Sequence, residues 1–147
     1  MTDKTGGWFT ADASEPSKAP RALRILVADD DRDAVLTLMM VLRDEGHDVR
    51  GVYRGSDVLI AVNAFDPDAV LVDIKMPGLS GYEVARLIRS KHGDSRPLLI
   101  AISGVYTQGS DRALAEIVGF NHHVAKPYDI GALLALLAPL TLPKLAP

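Results

Sequence analysis

An alternation constrains this 147-residue chain more than any other feature. Short apolar runs are each followed by a segment whose apolar residues recur every three to four positions, the spacing of one helical face. The run "RILVA" from Arg24 is followed by "DAVLTLMMVLRDEG", which sets Val35, Leu38, Met39 and Leu42 on one stripe and stops at Gly46. "DVRGVY" is a weaker strand, and in "SDVLIAVNAF" Val58, Val62 and Phe65 share a face, with Ser56 the expected cap. "AVLVD" precedes "SGYEVARLIRSKHG", where Val84, Leu87 and Ile88 are expected inward. "PLLIAIS" precedes "SDRALAEIVG", and "HHVA" precedes "YDIGALLALLA", which places Ile130, Leu133, Leu134 and Leu137 on one face. Five strands alternating with five helices predict a doubly wound (βα)5 fold, with a parallel sheet, helices on both faces and right-handed crossovers.

Composition narrows the class. Hydrophobic residues make up 48% and charged residues 24%, as in ordinary globular domains. The absence of cysteine excludes disulfides and thiolate metal sites. The net charge of −3 gives no reason to expect direct nucleic-acid binding. No apolar run approaches the ~18 residues of a membrane span, and the N-terminus lacks the apolar core of a signal peptide, so no membrane partner and a cytoplasmic location are expected. Residues 1–22, rich in Ser, Thr, Gly, Pro and Asp, read as a flexible tail in which Trp8–Phe9 is the one apolar spot able to dock. Residues 23–141 read as the single domain and 142–147 as a short C-terminal tail.

Polar residues break the apolar pattern where strands end, and open α/β sheets bind ligands there. Strand one ends in Asp29, Asp30 and Asp31, strand three in Asp73, strand four in Ser103 and strand five in Lys126–Pro127. Each has an ordinary reading alone. Asp31 is the expected cap of the first helix, Asp73 and Ser103 could be turn residues, and Lys126 a solvated cation. Together they place carboxylates, a hydroxyl and an ammonium on one sheet edge. Converging carboxylates repel one another unless a cation joins them, and all-oxygen ligands favour a hard ion, Mg²⁺ over Zn²⁺. Lys126 and Ser103 could then grip phosphate oxygens, with a carboxylate as the nucleophile.

The segments "ILVADDD", "VLVDIKMPGLSGYE", "AISG" and "HVAKPYD" resemble the receiver domain of two-component response regulators, over residues 24 to about 140. The resemblance implies the flavodoxin-like strand order 2-1-3-4-5. It implies Asp73 as phosphoacceptor, with Mg²⁺ held by Asp30, Asp73 and the Lys75 backbone carbonyl, and by Asp29 through a metal-bound water. It implies Lys126 as a phosphoryl-binding cation preceding a cis peptide to Pro127. Ser103 would be the switch hydroxyl, and His123 falls at the family's aromatic switch position. Lys75 and Val105 occupy positions that vary in the family and flank the phosphate. The implied partners are a histidine kinase or histidine phosphotransfer protein and an output protein, with the chain monomeric or weakly homodimeric. The implied role is a signalling switch with self-catalysed phosphoryl transfer and autodephosphorylation, rather than an enzyme acting on other substrates.

Three other readings compete. A haloacid-dehalogenase-like phosphatase would place D-x-D-x-[TV] on the first strand, whereas "DDDRD" lacks the Thr or Val. A pseudo-receiver that is not phosphorylated would lack one of the acidic or Lys positions, and all are present here. A receiver excised from a hybrid kinase stays open beside a stand-alone regulator: Met1 and the short C-terminus favour the latter, while "GFNHHVAKPYD" resembles the former.

Overall fold

The computed structural model describes residues 20–104 and 109–143; Trp8–Phe9 and Val105 lie outside them. In chain order the elements are β1 (Arg24–Ala28), α1 (Arg32–Asp44), β2 (Asp48–Val52), α2 (Gly55–Phe65), β3 (Ala69–Asp73), α3 (Gly81–His92), β4 (Leu98–Ser103), α4 (Gly109–Val118), β5 (His122–Ala125) and α5 (Ile130–Thr141). The five strands form one parallel sheet in the order β2-β1-β3-β4-β5, as the resemblance implies. Ile25 is in register with Val49 of β2 and Ala69 of β3, and Leu71 with Ile100 of β4.

Successive strand residues point to opposite faces, and this divides the core in two. Leu26, Val70, Val72 and Leu99 pack with Val58 and Val62 of α2 and with Val84 and Ile88 of α3. Ile25, Val27, Leu71 and Ile100 pack with Val35, Leu38 and Leu42 of α1 and with Leu133 and Leu137 of α5. Every residue of β3 is buried, which is why it reads as an apolar run without alternation.

The stripes expected for α1 and α2 are the ones that are buried. Leu87, Ile130 and Leu134 are only half-buried. They flank their stripes, and Ala85 takes the inward place beside Val84 and Ile88 in α3. α5 continues beyond Ala138 through Pro139 to Thr141. Asp31 does cap α1, its side chain accepting from the Asp33 and Ala34 N–H groups at 3.1 and 3.3 Å. Ser56 does not cap α2. The helix begins two residues earlier than such a cap implies, at Gly55, and Arg54 holds the cap position without a side-chain bond. Gly55 is packed so tightly that a Cβ there would collide with the Leu79 carbonyl oxygen.

Backbone bonds continue the sheet past its strand ends. The Asp29 N–H donates to Val52 O at 3.2 Å, Ile74 N–H to Ile102 O at 2.9 Å and Lys126 N–H to Ser103 O at 2.6 Å. The loops that carry the polar residues are thereby held to the rigid sheet.

Candidate functional site

Asp73 ends β3 and is 7% exposed. Its Oδ1 accepts the Lys75 N–H at 3.1 Å, which turns the chain away from the strand and leaves Oδ2 to the Lys126 ammonium. The chain then returns as α3, with Ser80 and Glu83 forming a reciprocal capping box. At Gly81 a Cβ would lie 2.8 Å from Ile74 Cα and 2.9 Å from Asp73 O. Only glycine lets α3 start this close to the strand end, so the "PGLSG" turn clears the space above Asp73 while its last residue packs below.

Asp29 closes the neighbouring strand. Its Oδ1 accepts the Asp31 N–H at 3.0 Å, and its Oδ2 accepts from Lys126 Nζ at 2.9 Å. The same ammonium reaches Asp73 Oδ2 at 3.3 Å. Lys126 arrives from β5, and the Lys126–Pro127 peptide is cis. Asp30 is exposed, and one carboxylate oxygen from each of Asp29, Asp30 and Asp73 lies within 4.8 Å of the other two. Three hard oxygen donors on two adjacent strand ends fit a small divalent cation, and no sulfur or imidazole belongs to the group.

The electrostatics follow from this crowding. Burial pushes the Asp73 carboxyl up, the Asp29 charge pushes it further, and together they outweigh the Lys75 N–H and Lys126, leaving it at about 6. Asp29 is also raised by burial, but the Asp31 N–H and Lys126 overcome this and hold it below the ordinary carboxylate range. Both carboxylates bind Lys126, yet they shift in opposite directions. Asp29 has the shorter bond to the ammonium and stays ionised, so the repulsion falls on Asp73. Burial lowers Lys126, and its two carboxylate partners reverse that and raise it. The site therefore carries excess negative charge that a divalent cation would offset.

Ser103 ends β4, and its Oγ lies 3.0 Å from His123 Nε2 on β5. His123 Nδ1 is buried without a hydrogen-bond partner among the described residues. Burial, then the Arg112 charge, lower this imidazole below its ordinary value against the opposing pull of Asp111. The sheet thus brings Asp29, Asp30, Asp73, Lys75, Ser103, His123 and Lys126 to one edge. Beside the carboxylates lies an open cleft of about 620 Å³ lined by Asp30, Lys75, Met76, Pro77 and Tyr82. The sequence also hid one contact at this edge: Tyr53, just past β2, lies under the Arg32 guanidinium at 4.1 Å. Its only signal was an aromatic residue just past β2.

A parallel α/β sheet with an acidic cluster and a lysine at the carboxyl ends of its strands is an α/β module able to meet a cation and an anion at that edge. The chain belongs to the response regulator receiver domain family, whose model matches residues 25–138. It is 38% identical over 112 residues to the DNA-binding response regulator MtrA of Mycolicibacterium smegmatis, covering 76% of this chain and 47% of that one. It is 32% identical over 119 residues to the transcriptional regulatory protein TcrA of Mycobacterium tuberculosis, covering 81% and 46%. The chemotaxis response regulator CheY4 of Vibrio cholerae superposes with a TM-score of 0.74 at 20% identity, over 82% of this chain and 99% of that one, and so shares the fold.

The chain spans about half the length of these curated relatives, and this corrects the expected partners. A net charge of −3 argues against DNA contact only for the residues it counts, whereas MtrA is a DNA-binding regulator more than twice as long as the matched region. The expectation of no direct nucleic-acid binding therefore does not stand. Among the described residues, no helix is long and apolar enough to cross a membrane.

Proposed function

We propose that residues 23–141 form a phosphoryl-accepting receiver in which Asp73 takes the phosphoryl group from a phosphohistidine. The observation that carries this reading is the Lys126 ammonium between Asp29 and Asp73, with Asp30 alongside, at the carboxyl edge of the parallel sheet. In the transfer an Asp73 oxygen forms a bond to phosphorus as the bond from phosphorus to the donor imidazole nitrogen breaks, and that nitrogen keeps the electron pair. Asp29, Asp30, Asp73 and the Lys75 carbonyl would hold Mg²⁺. When bound, the ion supplies positive charge beside the phosphoryl oxygens.

The remaining work falls to the chain's own side chains. Asp73 is fixed by the Lys75 N–H, so its second oxygen is presented in one orientation. Lys126 trades a carboxylate partner for a phosphoryl oxygen, which keeps an ion pair in place as charge develops. Ser103 donates to another phosphoryl oxygen on giving up its bond to His123. That exchange biases β4, β5 and the adjoining helices between two arrangements. Water later attacks the acyl phosphate, so the switch resets itself. The names of MtrA and TcrA support an output that acts on transcription, with DNA contacted outside the receiver region, and they favour a regulator over a piece of a hybrid kinase. Cytoplasmic placement agrees with such a role.

The test is Mg²⁺-dependent labelling of the full chain with acetyl phosphate, followed by borohydride trapping and mapping. Label is expected on Asp73 and lost in Asp73→Asn. Equal labelling of the variant would overturn the assignment.

A further inference from the structure

Helix α5 carries no charged residue, and its sequence "IGALLALLAPLT" remains apolar on the side facing away from the core. Gly131, Ala135 and Ala138 are exposed there, while Leu133 and Leu137 fill the core behind them. Between this face and the turn after α1 runs a groove of about 380 Å³, walled by Leu134, Ala135 and Ala138 on one side and by Glu45 and His47 on the other. The chain itself enters the groove. Pro20 lines it, and the Arg21 N–H donates to Thr141 O at 2.8 Å, pinning the lead-in segment to the end of α5. Nineteen residues precede Pro20, and Trp8–Phe9 is their only aromatic pair.

We propose that Trp8 and Phe9 seat in this groove, so that the N-terminal segment acts as an intramolecular cap on α5. The twelve residue steps from Trp8 to Pro20 span at most about 40 Å when extended. The groove from Thr141 to Gly131 is only about 15 Å long at ~1.5 Å per helical residue. Reach is therefore ample. The small residues of α5 leave depth for flat rings, each of which buries roughly 150–250 Å². A seated indole also needs an acceptor for its N–H. His47 cannot serve, because its Nδ1 already accepts the Leu23 N–H at 3.0 Å and its proton must sit on Nε2. The Glu45 carboxylate on the rim can. A tethered segment of this length holds the aromatic pair at an effective concentration on the order of millimolar, which favours it over a second copy at ordinary protein concentration.

Trp8 is the only tryptophan, so its emission reports the groove directly. In the full chain the emission is expected to be blue-shifted from that of solvated indole, shielded from acrylamide, and unchanged across a hundredfold dilution. Ala135→Asp and, separately, Ala138→Lys should return it to the solvated position while leaving the circular dichroism of the fold and the labelling of Asp73 as they are. Both positions are exposed, and charge of either sign gives the same expected shift. Three results would overturn the proposal: emission already solvated in the native chain, a blue shift indifferent to both substitutions, or a shift lost on dilution, which would assign the groove to a second copy.

Discussion

At the scale of single residues, the site turns on Lys126. Its ammonium is paired with Asp29 and Asp73 before any phosphoryl group arrives. Lys126→Ala leaves the three carboxylate oxygens that would hold Mg²⁺ and removes the cation that, in the proposed function, would meet the phosphoryl oxygens. Labelling by acetyl phosphate should fall by roughly 10²-fold, the usual loss for one preorganised charge-stabilising group. Mg²⁺ affinity, followed by a titration of the same variant, should hold or rise, since a competing cation has gone. A variant that lost Mg²⁺ binding yet kept phosphotransfer would reverse the two roles. Most of this site is legible in the sequence because a strand's end is legible: where an apolar run stops, the next side chain sits at the sheet edge. Asp29, Asp73, Ser103 and Lys126 are found that way. The Arg32–Tyr53 stack is not, since its partners lie on separate elements and neither breaks a local pattern.

At the scale of elements, helical spacing identifies the buried stripe of α1 and also what lies outside it. Leu36 and Met40, one turn apart, are 51% and 67% exposed. Contact with α5 does not account for them, and we propose that this apolar pair docks the phosphodonor. Leu36→Ser with Met40→Ser should lower kcat/KM for transfer from the cognate phosphohistidine protein by about tenfold, equivalent to about 1.4 kcal/mol of lost contact. Labelling by acetyl phosphate should be unaffected, because the small donor needs no docking surface. A double variant that accepts phosphoryl normally from the protein donor would remove this patch from the interface. Element ends are less legible than element faces. Ser56 has the chemistry of a cap, but the close approach of Leu79 to Gly55 decides where α2 begins, and that contact spans 24 positions of sequence.

At the scale of the molecule, the opposite edge of the sheet is held by a network that no motif announces. Asp68, 8% exposed, accepts the Arg24 N–H at 2.8 Å, Arg21 Nη2 at 3.3 Å and Arg96 Nη1 at 2.9 Å. These residues meet only once the sheet has formed. Burial alone would raise the Asp68 carboxyl, but the Arg24 N–H and the two guanidinium groups prevail and hold it below the ordinary range. A carboxyl depressed in the folded state stabilises the fold above its unfolded pKa, and that contribution is lost as pH falls through the folded value. Melting temperature should therefore drop as pH falls below about 4, near the unfolded aspartate pKa. Asp68→Asn should be less stable at pH 7 by about 1–3 kcal/mol and less sensitive to acid below 4. Parallel acid profiles for the two proteins would discount the network. The division of the core by strand alternation has a consequence for how such a chain can change over time. Leu42 and Leu133 share one set of neighbours, Val58 and Ile88 another, and the sheet stands between them. Substitutions on opposite sides share no partners and should combine without interaction, while those on one side constrain each other. The α1–α5 side and the α2–α3 side can therefore be revised as separate drafts, each free to acquire new partners without rewriting the other.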